Sequence, residues 1–260
     1  AVDGGVLGYT SCVSTGSRVR VRAAMGLRLG SPAALLGSAL LAGAAGGAVQ
    51  GCGSSSSGNG VAAKSPAEIV AASRAAADSA SSVHVSGSIL SSGSPLTLDM
   101  DMLAGRGGRG RLSQNGFGFE LIQVGQTVYI KGSAAFYRHL GGAAAAQLLQ
   151  GRWLKAPTTS RDFASISALT DFRRLIDTAL THHGALLKGA TTTVDGQKVI
   201  AISETSKGGI LYVATNGRPY PIEVSKVGAS GGTVVFDRWR EPVSLAAPAN
   251  AIDITQLQGH

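Results

Sequence analysis

The sequence predicts a single α+β domain in which helices pack on one face of a large antiparallel sheet. Three observations predict it. Residues 83–132 and 185–239 alternate apolar and polar side chains with a period of two, the mark of half-buried strands. Glycine, Asx or proline separates the alternating runs at hairpin spacing. The segments before and between these stretches carry helix formers with helical periodicity. At 260 residues the chain is long enough to bury a full core.

The elements follow in order. Ser65-Pro66-x-Glu68 opens a helix with serine as N-cap, proline at the first helical position and glutamate at the third, and "AEIVAASRAAADSA" continues it to about Ser81. Val83, Val85, Gly87 and Ile89 then alternate with His84, Ser86 and Ser88. After a Ser-Gly-Ser-Pro turn, Leu96, Leu98, Met100 and Met102 alternate with Thr97, Asp99 and Asp101, giving one oily and one acidic face. "GRGRLSQ" and "GFGFELIQV" follow, the latter placing Phe117, Phe119 and Leu121 on one face. "GQTVYIKG" brings Val128 and Ile130 into phase. "SAAFYRHLGGAAAAQLLQ" reads as helix broken near Gly141-Gly142, and "RWLKAP" as a short extended piece. "SRDFASISALTDFRRLIDTALTHH" is an amphipathic helix with Phe163, Ile166, Leu169, Phe172, Ile176 and Leu180 towards one side. Strands resume from "ALLKGATTTV" to "GTVVFDRW", with "VDGQ" and "TNGR" as hairpin turns, and the tail "APANAIDITQL" is expected to be loosely ordered.

The N-terminal region reads differently. Apolar residues make up 44% of the chain and charged ones 15%, with no charge between Arg28 and Lys64, so the excess oiliness is concentrated there. Arg18, Arg20, Arg22 and Arg28 precede the run "AALLGSALLAGAAGGAV" and small residues close it, the order of a secretory signal. Met25 is the first methionine, and the segment from it makes a compact signal on its own. An uncleaved membrane anchor is the alternative. Val49-Gln50-Gly51-Cys52 resembles the lipobox of bacterial lipoproteins, in which the cysteine becomes the mature N-terminus and carries a diacylglyceryl group. The expected organisation is a signal over 1–51, the lipidated Cys52 with a Ser/Gly tether over 52–64, and one domain over 65–260. After Cys52 the chain holds 19 basic and 14 acidic residues, an excess suited to an anionic membrane surface or simply to solvation.

Motifs for chemistry are weak. Gly228-Ala229-Ser230-Gly231-Gly232 matches G-x-S-x-G, but it lies between two strands instead of between strand and helix, so a hairpin loop is the better reading. His182-His183 point in different directions on a helix and have no ligand-spaced partner, so no metal site is expected. "GRGGRGR" (105–111) is too short and lacks the aromatics of an RNA-binding run; a basic turn is expected, and no nucleic-acid partner. Trp153 and Trp239 read as core or cavity-rim residues. Neither a cofactor nor a catalytic group is expected.

The order of lipobox, tether, opening helix, meander with "VGQTVYIKG", aromatic-containing helix, "GRWLKAP", second helix and returning meander resembles the actinobacterial LppX/LprG-type lipoprotein family, which has the LolA-like fold. The resemblance covers roughly 65–255. It implies a strongly curved antiparallel half-barrel with helices across its concave side, and between them an apolar cavity for acyl chains of lipids or lipoglycans. Its expected lining is Leu96, Leu98, Met100, Met102, Phe117, Phe119, Leu121, Val128, Ile130, Phe163, Ile166, Leu169 and Phe172. An arginine at Met100 is then expected to weaken lipid retention without loss of export. The expected function is a non-enzymatic envelope lipoprotein, anchored to the outer face of the cytoplasmic membrane, that binds, holds or transfers a lipid. An envelope transporter is a further partner this reading admits. The alternative is a membrane-tethered protein-interaction module with a filled core; periodicity marks the apolar face in both.

Overall fold

The computed structural model describes residues 58–91, 93–160, 168–181, 184–206, 208–228 and 231–254. The segment expected to hold a signal and lipobox with Cys52, together with Phe163, Ile166, His182, His183 and Ser230, lies outside the described residues.

Helix α1 (Pro66–Asp78) begins as its capping box dictates: Ser65 Oγ accepts from the Glu68 amide, and the Glu68 carboxylate accepts from the Ser65 amide at 2.9 Å. These bonds hold the Glu68 carboxyl below its ordinary value. Strands β1 (Ser82–Ser91), β2 (Ser94–Leu103), β3 (Gly107–Gln114), β4 (Phe117–Val124) and β5 (Thr127–Gly132) form an antiparallel meander. Helix α2 (Ala134–Leu149) and β6 (Leu154–Pro157) follow. Helix α3 (Phe172–Thr181) leads to a second meander: β7 (Leu186–Val194), β8 (Gln197–Glu204), β9 (Gly209–Ala214), β10 (Pro221–Lys226) and β11 (Gly232–Asp237).

The last strand of the second meander pairs with the first of the first. Antiparallel β1–β11 pairing joins them, with β12 (Ile252–Asp253), into one open, curved twelve-stranded sheet of order β12-β6-β5-β4-β3-β2-β1-β11-β10-β9-β8-β7. The tail is more ordered than its sequence suggests. Ile252–Asp253 adds β12 in parallel beside β6, with the Ile252 amide donating to the Trp153 carbonyl at 2.8 Å. A two-residue strand is too short to carry a period, so only the pairing reveals it.

The turns follow their chemistry. Asn115-Gly116 and Asp195-Gly196 both take positive φ at both positions, the geometry that matches strand twist in two-residue hairpins. Helix α2 breaks where the glycine pair predicts: Gly142 has φ 77° and Gly141 lies outside the helical range. The "GRGGRGR" run is a turn only over its first residues; from Gly107 onwards it is strand β3. Its residues alternate, with Gly108 and Gly110 inward opposite Met102 and Met100 and Arg109 and Arg111 outward opposite Asp101 and Asp99.

One face of the sheet carries the core. Val83, Val85, Met100, Met102, Leu112, Leu121, Val128 and Ile130 are buried there with Ile69 and Val70 of α1 and Phe172, Ile176 and Leu180 of α3. Helix α1 packs against α3, β7 and β10, and α2 against β4 and β5. Arg74 of α1 pairs with Asp177 of α3. The outer strand β7 is exposed along nearly its whole length but carries a bulge between Lys188 and Thr191. Lys188 donates to the Ala62 and Lys64 carbonyls. Bulges and edge lysines both discourage edge-to-edge pairing.

Candidate functional site

The middle of the covered face is not filled. A cavity of about 200 Å³ lies between β1, β2, β3, β10 and β11 on one side and the Leu169–Leu175 segment on the other. Its thirteen lining side chains are all apolar: Val85, Ile89, Leu96, Leu98, Met100, Met102, Leu112, Leu169, Phe172, Leu175, Val224, Val234 and Phe236. Burial is graded along it. Met100 and Met102 are 1% exposed and Phe172 is equally buried, whereas Ile89, Leu96, Leu98, Val224 and Val234 are half-buried.

Strand register explains the lining. Alternation puts Leu96, Leu98, Met100 and Met102 on one face. Pairing sets Ile89 beside Leu96 and Val85 beside Met100 on β1, then Phe236 beside Val85 on β11. Val234 in turn pairs with Val224 on β10. Two glycines allow close approach. A Cβ on Gly110 would stand 2.1 Å from the Asp99 carbonyl oxygen and 2.7 Å from Met100 Sδ. Gly87, with φ 152°, sits 2.1 Å by the same measure from the Thr233 carbonyl oxygen on β11. The floor is backed by aromatics. Trp239 stacks on Tyr220 at 4.5 Å, meets Phe172 and Phe236 at 6.4 and 6.3 Å, and donates Nε1–H to the Pro221 carbonyl. Asp171 caps α3 by accepting from the Arg174 amide, which fixes where Phe172 and Leu175 enter.

Of the lining residues expected from the sequence, Leu96, Leu98, Met100, Met102, Leu169 and Phe172 bound this cavity. Phe117, Phe119, Leu121, Val128 and Ile130 do not. They occupy the same face further along, where α2 covers β4 and β5: Phe119 packs on Phe136 at 5.3 Å and Phe117 stacks on His139 at 4.7 Å. Leu121, Val128 and Ile130 are closed into the core. Tyr137 pins α2 there. Its hydroxyl accepts from the Gly132 amide and donates to the Arg152 carbonyl, and burial pushes its pKa up. Sequence reasoning missed Val85, Ile89, Leu112, Leu175, Val224, Val234 and Phe236. The alternation of β1 signals the first two, whereas the β11 and β10 residues depend on the long-range β1–β11 pairing.

The opposite face of the sheet is ionic. His84 lies between Asp237, 2.6 Å from Nδ1, and Asp99, 3.2 Å from Nε2; Asp101 meets Arg109 and Arg238 at 3.4 and 3.2 Å. Arg109 of the glycine-arginine run is thus held by a cross-strand partner. Trp153 is half-buried with the Lys131 ammonium 5.0 Å from its ring centre. No group of side chains suited to a metal ion occurs among the described residues, and none of their helices is long and apolar enough to cross a membrane.

Glu223 supplies a pH-dependent prediction. It lies between Tyr212 and Val235 across the strands, and burial, then Asp195, pushes its carboxyl above the ordinary 4.5. A raised carboxyl binds its proton more tightly folded than unfolded. Its stabilisation is therefore complete below 4.5 and is lost as pH rises through the folded value. Urea midpoints at pH 4 and pH 7 should fall less with rising pH in Glu223→Gln than in the parent; identical slopes would contradict the assignment.

No protein-family model matches the sequence, and no curated protein does. Among solved structures the chain is similar to LprF from Mycobacterium bovis, with a TM-score of 0.51 at 14% identity, covering 71% of this chain and 97% of LprF. It is also similar to the lipoprotein LppX from Mycobacterium tuberculosis, with a TM-score of 0.46 at 17% identity, over 70% of this chain and 98% of LppX. The likeness to LprF is one of fold: the chain is an α+β protein built on the same open, curved, mostly antiparallel sheet.

Proposed function

We propose that the chain is an envelope lipoprotein that holds the alkyl part of a lipid or other amphiphile in the cavity between sheet and α3. The observation that carries this reading is the wholly apolar void itself. Protein interiors are close-packed, and an apolar void costs its lining the packing contacts it would otherwise make. Filling it with hydrocarbon offsets that cost and gains about 0.8 kcal/mol per buried methylene. An apolar cavity of about 150 Å³ accepts benzene. The present one therefore takes the end of one alkyl chain, and a larger cargo requires α3 and the sheet to part.

Binding of this kind needs no covalent step. A filled-core interaction module would leave no such void, so the lipid reading is favoured over it. Export with acylation at Cys52 would hold the domain at the outer face of the cytoplasmic membrane, where cargo is at hand. The alkyl chain would lie against Met100, Met102 and Phe236 while a polar head group stays at the half-buried end near Ile89 and Leu96. The full chain, stripped of lipid, should bind a fluorescent fatty acid saturably and release it to unlabelled long-chain fatty acid. Absence of a saturable phase would overturn the reading.

A further inference from the structure

Among the described residues three large apolar side chains are exposed: Leu148 and Leu187 at 60% and Val227 at 76%. The topology brings all three to one end of the sheet. At that end β1 turns into β2 through residues 91–94, β3 into β4 at Asn115-Gly116, and β8 into β9 after Glu204; β10 turns into β11 after Lys226. Val227 stands in the last of these turns, and Leu187 is the second residue of β7, paired with Ser203. The α2 excursion that carries Leu148 leaves the sheet at Gly132, paired with Phe119, and rejoins it at Leu154, paired with Ile130.

At this end the cavity wall is half-buried, at Ile89 and Leu96, whereas Val85, Met100 and Met102 further along the same strands, and Phe236 on β11, are buried. Among the described residues, its turns and the α2 excursion carry two formal charges, Arg138 and Arg152. Both are exposed, and neither makes an ion pair. The nearest acid along these strands, Glu204, accepts from the Gly184 and Ser206 amides.

We propose that this end of the domain docks on an anionic lipid bilayer, with Leu148, Leu187 and Val227 entering the interfacial layer and Arg138 and Arg152 meeting lipid phosphates. Isolated apolar side chains on separate elements, set among glycine and serine turns with two exposed cations, and with Glu204 at the margin engaged by the Gly184 and Ser206 amides, suit a broad apolar and anionic surface. They do not form the continuous patch that a protein partner would fill. Docked in this way, the cavity's half-buried end faces a source of alkyl chains. That use rests on the lipid reading above, whereas the docking itself does not.

Trp153, next to Arg152 and one of only two tryptophans, reports the contact. The full chain is reconstituted into phosphatidylcholine vesicles with or without phosphatidylglycerol, with bromine on the acyl chains as quencher. The Trp153 signal is read as the difference from Trp153→Phe, and the N-terminal segment is common to every sample. Strong quenching is expected in the anionic vesicles and weak quenching in the neutral ones. Charge reversal should lower the docked fraction about fivefold or more per arginine in Arg138→Glu and Arg152→Glu, and Leu148→Asp should lower it as well. All three positions are exposed, and circular dichroism checks that the variants stay folded. An unquenched Trp153, or quenching that is equal in neutral vesicles and indifferent to charge reversal, would overturn the docking. A protein that competes vesicles off this face at one-to-one stoichiometry would also overturn it. Vesicle docking needs no cargo, so its failure leaves the cavity reading standing, and an empty cavity leaves the docking standing.

Discussion

Gly110→Val is expected to unfold the protein or to remove at least about 3 kcal/mol of stability. The reason is local and geometric. On β3, Gly110 faces Met100 across the β2 pair, and its missing Cβ would fall 2.1 Å from the Asp99 carbonyl oxygen and 2.7 Å from Met100 Sδ. The first of these is backbone and cannot swing aside. Relief requires β2 and β3 to separate, which exposes the Met100 and Met102 floor that the rest of the core packs against. Gly118 provides the control. A Cβ there has its nearest neighbour at 3.8 Å, so Gly118→Ala should stay within about 1 kcal/mol of the parent in urea denaturation. A Gly110→Val protein with an unchanged midpoint would contradict the close approach of these strands.

The second large effect is on ligand. Leu98→Trp is expected to weaken alkyl-chain binding by at least tenfold while leaving the fold intact. Leu98 is half-buried in the cavity wall, so an indole can extend into existing space. Excluding only two methylenes from the site forfeits about 1.6 kcal/mol, a little over tenfold in affinity. Met100, the residue that the sequence alone suggests for such a block, is the wrong place for it. It is 1% exposed, and an arginine there would be an unpaired buried charge that attacks folding before it reports on binding. Titration with a fluorescent fatty acid, alongside urea denaturation, separates the two effects. Parent-like affinity in a folded Leu98→Trp protein would remove the ligand from this cavity.

The order of elements was legible because the strands of the first meander alternate and turns such as Asn115-Gly116 and Asp195-Gly196 announce their hairpins. The two-residue β12 shows only through its pairing. Asp195-Gly196 and the Gly141-Gly142 break carry their geometry in their own sequence. The cavity was legible only in part. Alternation identifies the inward face of β2 and β4 equally well, yet says nothing about what covers either. Leu121 is closed into the core and Phe119 packs on Phe136 of α2, while Leu96 and Leu98 border the apolar cavity. Val234 and Phe236 belong to the wall through pairing between strands far apart in sequence, as with Val85 and Phe236. The arginine-glycine run hid the clearest local signal. Its charge draws attention to arginine, whereas Gly108 and Gly110 at every second position make room for Met102 and Met100.

The decisive property is occupation of the void between the sheet and α3 by hydrocarbon. It is tested most directly by purifying the full chain from an actinobacterial envelope, extracting it with organic solvent and identifying what comes out by mass spectrometry, with Leu98→Trp processed in parallel. The expected extract is an amphiphile with a long alkyl chain, near one per protein in the parent and strongly depleted in the variant. An amphiphile recovered equally from both, or a folded parent that yields none, would contradict it.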